Sequence, residues 1–348
     1  MNTENKWFKI FSRYIAFVLI MGVIITSSVL INYYGGSVYR DSDWDNVDPI
    51  EIPAETEGYN VVFDSHSHTL YSDGELTLKQ NVLWHQHMGY NACVITDHNT
   101  MEHREAVLEM QQVLEGEFVL ILGMEYTTDR CHINFLGLDN WDFEEFPIPD
   151  EPTDQQIQDA IGEAHRQDAV VVINHIPWSI NEAEMDTHPT RAQLLAWGVD
   201  YVEIVNDNSL IQNVYDYESL NWANESGFGK ITATDMHRPD DLDSGGIHGW
   251  TLLKADTFSE EGIMAELQQK DTEIVYDAKG KHDAGEHTPW YVELSKPFDN
   301  FGALFMDLWD DSLDWAGVWL YVFFFSTVFI IFEIGFELKR KAEKKLYK

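Results

Sequence analysis

The stretch VVFDSHSHTLYSDG, residues 61–74, decides how the middle of this chain is interpreted. Its first four residues form a short apolar run typical of a buried strand, and His66 and His68 follow directly. In an extended segment, side chains two residues apart point to the same face, so both imidazoles can reach one metal ion. Asp73 adds a carboxylate near the end of the stretch. The sequence therefore predicts a metal-binding loop at the end of a strand.

Further apolar runs alternate with amphipathic segments across the middle of the chain. Strands are predicted at 61–64, 92–96, 118–122, 132–138, 170–174, 201–205, 230–234, 250–253 and 272–276, and helices at 77–89, 102–115, 154–167, 190–197, 216–226 and 259–269. Strands that alternate with helices indicate βαβ units and a largely parallel sheet. With this many units, a closed or distorted (β/α) barrel is favoured over an open sheet.

Residues that bind metals follow nearly every one of these predicted strands. Groups at the carboxyl ends of barrel strands meet at one mouth, so we expect them to lie together. The candidates are His66, His68, Asp73, His98, Glu125, His132, His175, Asp235 and His237. Because a catalytic ion takes three or four protein ligands, this number indicates two or three ions that share a carboxylate. A lone strand-end histidine is more often a hydrogen-bonded structural residue, but the joint pattern is hard to explain by chance.

Five further histidines and the two cysteines are not expected to bind metal. Five histidines fall on predicted helices or loops, where we expect contact with solvent: His85, His87, His103, His165 and His188. With Cys93 and Cys131 as its two cysteines, the chain has neither a disulfide framework nor a zinc site of four cysteines. We expect both cysteines to be free and buried.

The charge of the chain is strongly negative and unevenly distributed. There are 60 acidic and 22 basic residues, a formal net charge of −38. The region from Tyr14 to Phe332 contains 56 of the acids and 13 of the bases, a net charge of −43, whereas both ends are basic. Nucleic acid is an unfavourable partner for such a domain, because phosphate backbones need Lys and Arg to neutralise them.

Two apolar segments flank the acidic region. Residues 14–34 are uncharged, and 315–336 begins with 18 uncharged residues. At about 1.5 Å per helical residue, the first segment is long enough to cross a hydrocarbon core of roughly 30 Å. The 18 uncharged residues of the second are sufficient if the helix continues through Gly335 and Phe336. A cleaved signal peptide is the alternative for the first segment and a buried core helix for the second. The long apolar stretch and the basic tail favour two spans, with both termini cytoplasmic and the acidic domain extracytoplasmic.

The predicted domain organisation follows from these boundaries. It comprises a cytoplasmic amino terminus (1–13), a transmembrane helix (14–34), an acidic linker (35–60), a metal-binding barrel (61–279), a juxtamembrane segment (280–314), a second transmembrane helix (315–336) and a basic cytoplasmic tail (337–348).

Five separated motifs of the barrel region resemble those of the PHP family, named for polymerase and histidinol phosphatase. They are HSHTLYSDG (66–74), TDHN (96–99), GMEYTTDRCH (123–132), INHIP (173–177) and ATDMH (233–237), and they occur in the family's order. The resemblance covers about 61–277. It implies a distorted seven-stranded (β/α) barrel, a trinuclear metal site and phosphoesterase chemistry.

The resemblance also implies how the ligands are divided among the ions. The first ion would be held by His66, His68, Glu125 and Asp235, the second by Glu125, His132 and His175, and the third by Asp73, His98 and His237. This donor set suits zinc, manganese or iron. Family members often have His-Pro after the fifth strand, whereas this chain has an isoleucine between His175 and Pro177. Arg238 is the first candidate for a contact with phosphate, before Arg104 and Arg130.

Together these features predict a membrane-anchored metal-dependent phosphoesterase that acts on a small phosphorylated substrate at the outer face. Glu125, Asp235 and Arg238 are its expected catalytic residues. One alternative is a catalytically idle barrel that serves as the extracytoplasmic subunit of a membrane protein complex. A second is an amidohydrolase, which would usually recruit a lysine as a metal bridge. Lys254 is the lysine at a predicted strand end.

Overall fold

In the computed structural model, the chain divides into two compact units, Met1–Gly35 with Trp290–Lys348 and Gly36–Pro289. The structure describes residues 3–34, 39–44, 56–206, 214–239, 248–277, 294, 297–298, 301–302, 304–305 and 315–346. Most of the predicted linker and of the predicted juxtamembrane segment lies outside the described residues. The predicted domain boundaries therefore stay a prediction.

The larger unit is built on a sheet of ten strands in its described residues. They are β1 (Val61–Asp64), β2 (Ala92–Ile95), β3 (Val119–Thr127), β4 (His132–Leu136), β5 (Val170–Ile173), β6 (Tyr201–Asn206), β7 (Val214–Tyr215), β8 (Gly229–Ala233), β9 (His248–Leu253) and β10 (Glu273–Asp277). The strands that precede the ligand loops are short runs of β-branched and aromatic residues buried on both faces, which is typical of strands covered by helices.

The sheet is mixed rather than largely parallel. Its strand order is β10-β9-β1-β2-β3-β4-β5-β6, and both β7 and β8 pair with β6. The pairs β1-β2, β2-β3, β5-β6 and β6-β8 are parallel. The pairs β3-β4, β4-β5, β1-β9, β9-β10 and β6-β7 are antiparallel. The hairpin β3-β4 joins two adjacent strands through Thr128–Cys131, so a helical crossover is missing there.

Hydrogen bonds between the segments after β8 and β1 bring the sheet nearly to closure. The backbone N–H of Asp235 donates to the carbonyl of His66 at 2.9 Å, and that of His68 donates to the carbonyl of Met236 at 3.0 Å. Toward the other end, the N–H of Thr232 on β8 donates to Oγ1 of Thr251 on β9 at 2.9 Å. The predicted distorted barrel is therefore confirmed.

Helices follow most strands at the positions that the periodicity predicts. In the larger unit they are α2 (Leu78–His87), α3 (Arg104–Val113), α4 (Asp154–Arg166), α5 (Ile176–Asn181), α6 (Arg191–Trp197), α7 (Tyr217–Ser226) and α8 (Glu260–Gln269). Three of them, α2, α4 and α6, begin with a Thr-x-x-Gln capping box, in which the threonine hydroxyl and the glutamine amide satisfy backbone groups reciprocally. The short helix α5 and strand β7 were not predicted.

The interior of the barrel is filled from one end. Alternate residues of the strands, such as Val61, Phe63, Ala92 and Val94, share one buried apolar cluster. This cluster also contains residues of α8, and the hydroxyl of Tyr201 donates to the backbone carbonyl of Leu267 at 2.8 Å. Because several of these positions are the first residues of parallel strands, α8 covers the amino end of the barrel. The carboxyl end is left for the polar residues.

The smaller unit pairs two long helices, α1 (Thr3–Tyr34) and α9 (Trp315–Leu346). Within them, Trp7–Ile31 and Gly317–Ala342 are long and apolar enough to cross a membrane. The rings of Tyr14 and Phe329 make an edge-to-face contact, with centroids 5.1 Å apart.

Arg13 of α1 and Glu333 of α9 form a bidentate ion pair between the two helices. Nε of the guanidinium lies 2.5 Å from one carboxylate oxygen, and the second guanidinium contact is 2.6 Å long. The pair links the two helices at this level, between residues that are 320 positions apart in the sequence.

We expect Arg13→Leu to destabilise the full-length protein by about 1–3 kcal/mol, because it removes the bidentate contact with the Glu333 carboxylate. The double variant Arg13→Leu/Glu333→Leu should recover part of this loss, since both charges of the pair are then absent. Thermal unfolding in detergent measures both. Arg340→Leu is the control, because Arg340 pairs with Glu337 within the same helix. Equal losses in the single and double variants would contradict the prediction.

Candidate metal centre

All nine predicted ligands lie at the carboxyl end of the barrel. Their side chains form three groups, in each of which the potential ligand atoms lie within 4.8 Å of one another. The groups are His66, His68 and Glu125; Glu125, His132 and His175; and His68, Asp73, His98 and His237. Asp235 joins the first group by its distances, as described below. The grouping corresponds to the three ligand sets that the PHP resemblance implied, with His68 as an additional neighbour of the third.

The first group has the spacing of donors around a metal ion. Nε2 of His66 lies 3.0 Å from Nε2 of His68 and 3.4 Å from Oε2 of Glu125. Oδ1 of Asp235 lies 3.3 Å from the first of these nitrogens and 3.2 Å from the second. Donors about 2.1 Å from a shared ion are about 3.0–3.4 Å apart in octahedral or tetrahedral geometry. The spacing of His66, His68 and Glu125 therefore suits one divalent cation, and Asp235 contacts both imidazoles.

The second group is built on the β3-β4 hairpin. Thr127 pairs with His132 in the hairpin register, which places Glu125 and His132 on the same side. Oε1 of Glu125 lies 3.1 Å from Nδ1 of His132 and 3.6 Å from Nε2 of His175. The amide of Asn174 donates to the same oxygen at 2.8 Å. Glu125 thus presents one oxygen to each of the first two groups, as a bridging carboxylate would.

The third group is nearer to solvent than the other two. Oδ1 of Asp73 lies 3.5 Å from Nε2 of His98, and Oδ2 lies 3.3 Å from Nε2 of His237. The side chain of Asp73 is 56% exposed, whereas that of Glu125 is 1% exposed. A small molecule that approaches from solvent therefore meets Asp73 of the third group before Glu125.

Buried atoms without hydrogen bonds support the interpretation of these groups as a cation site. Nδ1 of His68 and Oε2 of Glu125 are buried and make no hydrogen bond of good geometry among the described residues, while Oε2 lies 2.7 Å from Nδ1 of His98 and within 3.5 Å of Nε2 of His66 and of His68. Several imidazole nitrogens thus converge on one buried carboxylate oxygen, and such a position suits an ion or a water. A divalent cation would satisfy the carboxylate oxygen, which faces the nitrogens of several imidazoles.

Burial and neighbouring charge shift the pKa values of these groups in opposite directions. Burial, together with the charges of His237 and His98, lowers the pKa of His68 to about 4. Burial opposes the shift of His98, but nearby carboxylates, led by that of Glu125, raise its pKa to about 11. Although burial also opposes it, the imidazoles hold the pKa of Glu125 and Asp235 below the usual range. Metal binding would displace protons from the imidazoles whose pKa is raised.

The three arginines predicted to contact phosphate differ in their hydrogen-bond and ion-pair partners. Arg104 donates to the backbone and side chain of Asp139, and Arg130 donates to backbone carbonyls of Pro152 and Thr187. Both guanidiniums therefore hold loops in place. Arg238 follows the predicted ligand His237 and lies 4.0 Å from a carboxylate oxygen of Glu75.

The prediction that three helical histidines contact solvent is wrong, because His85, His87 and His103 are buried. Nε2 of His85 lies 2.8 Å from Oδ2 of Asp64, whose carboxylate also accepts from the backbone and hydroxyl of Thr234. This network ties the strand before His66 to the strand before Asp235. The helix periodicity did not reveal it, because the partners of His85 are remote in sequence.

Asp97 supports the loop that presents Asp73. Its buried carboxylate accepts from the backbone N–H and hydroxyl of Thr69, each at 2.7 Å, and from the hydroxyl of Ser72 at 2.7 Å. Nδ1 of His103 lies 3.5 Å from Oδ2 of the same carboxylate. Asp97 is part of the TDHN motif, but the motif did not indicate a supporting role for it. Its position next to the predicted ligand His98 is the sequence feature from which that role could have been inferred.

Three of the six described non-glycine residues with positive φ lie at this end of the barrel. These three, Asn99, His175 and Asp235, belong to the ligand loops, with φ of 47°, 24° and 50°. Such conformations cost free energy and are retained where the surroundings enforce them, commonly at functional sites. Cys93 and Cys131 are free and buried, as expected, and take no part in the three groups.

The fold is similar to that of solved PHP-like proteins. A two-domain protein from Bacteroides vulgatus that contains a predicted PHP-like metal-dependent phosphoesterase is 23% identical, with a TM-score of 0.51 over 66% of this chain and 69% of that one. No protein-family model and no curated protein matches the sequence.

Two further structures are less similar. A candidate metal-dependent phosphoesterase from Bifidobacterium adolescentis is 14% identical, with a TM-score of 0.42 over 60% of this chain and 96% of that one. A lesion-specific endonuclease from Pyrococcus furiosus is 15% identical, with a TM-score of 0.45 over 64% and 59%. The similarity to the Bacteroides structure shows that the barrel has the PHP-like fold that the five motifs implied.

We expect the purified protein to hold two to three transition-metal ions and Glu125→Gln to remove at least one of them. Glu125 contacts two groups, so its replacement should lower the metal content more than His98→Gln does. Elemental analysis of the metal-replete proteins measures both. A wild-type protein that holds at most one ion would show that the multinuclear interpretation is wrong.

Proposed function

We propose that this chain is a membrane-anchored, metal-dependent phosphoesterase that hydrolyses a small phosphorylated substrate. The observation that supports the proposal is the convergence of imidazole and carboxylate donors in three adjoining groups at one end of a PHP-like barrel. Groups this close suit the joint binding of a phosphoryl group by two or three ions. Zinc, manganese and iron are compatible with the donor set.

The residues of the chain have distinct roles in this proposal. Bound cations would polarise a phosphoryl oxygen and lower the pKa of a bound water. Glu125 and Asp235 hold the buried groups, and Asp73 completes the group nearest to solvent. Arg238 lies beside the ligand His237, where a guanidinium can donate two hydrogen bonds to a phosphate.

The acidity of the chain favours a small substrate over a long polyanion. A small phosphomonoester touches only the mouth, where the bound cations would dominate. A nucleic acid would extend over an acidic surface and would be repelled most strongly at low salt. The membrane helices are proposed to anchor the protein, with the basic termini in the cytoplasm and the barrel outside.

The amidohydrolase alternative is weakened by the position of its candidate lysine. Lys254 follows Leu253, which pairs with Val61 at the amino end of β1. The ligands are at the opposite end of the barrel. The Nζ atom of Lys254 lies instead over the ring of Tyr59, 4.8 Å from its centroid. The hydrolysis experiment described next distinguishes the proposed enzyme from the idle-subunit alternative, because an idle barrel would bind metal without hydrolysing a phosphoester.

We expect the metal-loaded protein to hydrolyse a generic phosphomonoester and to cleave duplex DNA slowly or not at all. Asp73→Ala should lower turnover at least roughly tenfold while the two buried groups keep their ions, because Asp73 belongs only to the third group. Phosphate release and metal content are measured together. Asp159→Ala, an exposed aspartate of α4, is the matched control. A fully metal-loaded wild type that hydrolyses no phosphoester in a broad panel would favour the idle subunit.

The proposed topology predicts the products of limited proteolysis. Protease added to intact cells, after permeabilisation of any outer layer, should cut within 35–58 or 139–154 while a carboxyl-terminal tag survives. The lipid bilayer would protect the tag. Immunoblots against the tag and against the barrel distinguish the fragments. Digestion of the tag with protection of the barrel would mean that the orientation is inverted.

A further inference from the structure

Glu203 is a buried carboxylate that belongs to none of the three metal groups. It lies in the middle of β6, and 2% of the residue is exposed. The described partners of its two oxygens are the ring of His66, the backbone of His175 and the amide of Asn206. Two of these are proposed ligands, one from each of the first two groups.

The contact with His66 determines which of its nitrogens can bind a metal. Oε1 of Glu203 lies 2.8 Å from Nδ1 of His66. At this distance the ring and the carboxyl group share a hydrogen bond, and Nδ1 carries the proton where the carboxylate accepts it. Nε2, which faces His68 and Glu125, is then the nitrogen whose lone pair is available to a cation. Such carboxylate–histidine pairs orient metal ligands and raise their basicity.

The contact with His175 holds a strained backbone. His175 has φ of 24° and ψ of 51°, and it precedes α5 without a side-chain cap. Its N–H donates to Oε2 of Glu203 at 2.8 Å. The hydrogen bond helps to offset the cost of this left-handed conformation, which directs the imidazole toward Glu125.

Asn206 extends the same network to Asp235. Its side-chain amide donates to Oε2 of Glu203 at 3.1 Å and to Oδ2 of Asp235 at 3.3 Å. Asp235 also has positive φ, at 50°. One carboxylate and one amide thus reach three proposed ligands through β6, the strand between β5 and β8.

We propose that Glu203 is a positioning residue that, with Asn206, orders His66, His175 and Asp235 so that the first two metal groups form together. This inference rests on the proposed metal centre, but it does not require that the reaction be phosphoester hydrolysis. The third group has no direct contact with Glu203 among the described residues. It shares His68 with the first group, and its His237 contacts Asp235, so it should depend on Glu203 less strongly than the first two groups do.

The test is a Co²⁺ titration of the full-length apoprotein in detergent, followed by visible absorption and by metal content. Glu203→Gln keeps the shape of the side chain but replaces one acceptor by a donor. Either the His175 N–H then loses its acceptor, or His66 takes the tautomer with its proton on Nε2, the nitrogen that faces the first group. We expect Co²⁺ to bind the first two groups about 10- to 100-fold more weakly, with an altered spectrum. Binding at the third group should weaken less.

Glu260→Gln is the matched control, because Glu260 is half-buried and accepts a hydrogen bond from Gln111 far from the ligand loops. It should titrate as the wild type does. Asn206→Ala removes the link to Asp235 but leaves both direct contacts of Glu203, so it should fold even where Glu203→Gln does not. We expect a smaller weakening at the same two groups.

The outcomes separate this inference from the proposed function. A folded Glu203→Gln or Asn206→Ala protein with wild-type affinity and spectrum overturns the positioning role alone. A wild type that binds at most one Co²⁺ overturns the multinuclear centre and, with it, the inference. Weakened binding in the variants, combined with a wild type that hydrolyses no phosphoester, supports the positioning role and contradicts the proposed reaction.

Discussion

The pairing of buried carboxylates is the constraint on which the barrel mouth depends. Five of them have almost no contact with solvent: Asp64, Asp97, Glu125, Glu203 and Asp235. An unpaired carboxylate at such depth is too costly to retain, so imidazoles, hydroxyls and backbone N–H groups must converge on each one. Those partners come from loops after different strands. Satisfying the carboxylates therefore also draws the ligand loops together and helps to close the barrel.

Much of this arrangement could be predicted because strand ends have a clear sequence signal. The short apolar runs ended where His66, His98 and His175 begin the loops, and parallel strands bring such ends together. The helix boundaries were also close, because the amphipathic segments between the apolar runs have the period of the helices that form. The five motifs then supplied a fold that the structural similarity supports.

What the sequence did not reveal is the layer that supports the ligands. Glu203 lies in YVEIV, which has the pattern of a buried strand, and a single acid in an apolar run gives no sign of its partners. His85 was predicted to contact solvent because it lies on an amphipathic helix. The helix pattern does not show its partner Asp64, which is 21 residues away. The same limit applies to Arg13 and Glu333, which are 320 residues apart and each interrupt an apolar helix. Long-range pairs of single polar residues leave no periodicity.

The covering of the amino end of the barrel by α8 has a consequence for traffic through the centre. If the centre acts as proposed, cations, reactant and products would all use the carboxyl-end mouth, where Asp73 of the third group is 56% exposed. An anion released from the inner groups would leave past the same imidazoles that received it. Departure and arrival would then compete for one passage, so in the proposed cycle the escape of the product anion, rather than bond cleavage, would set the pace.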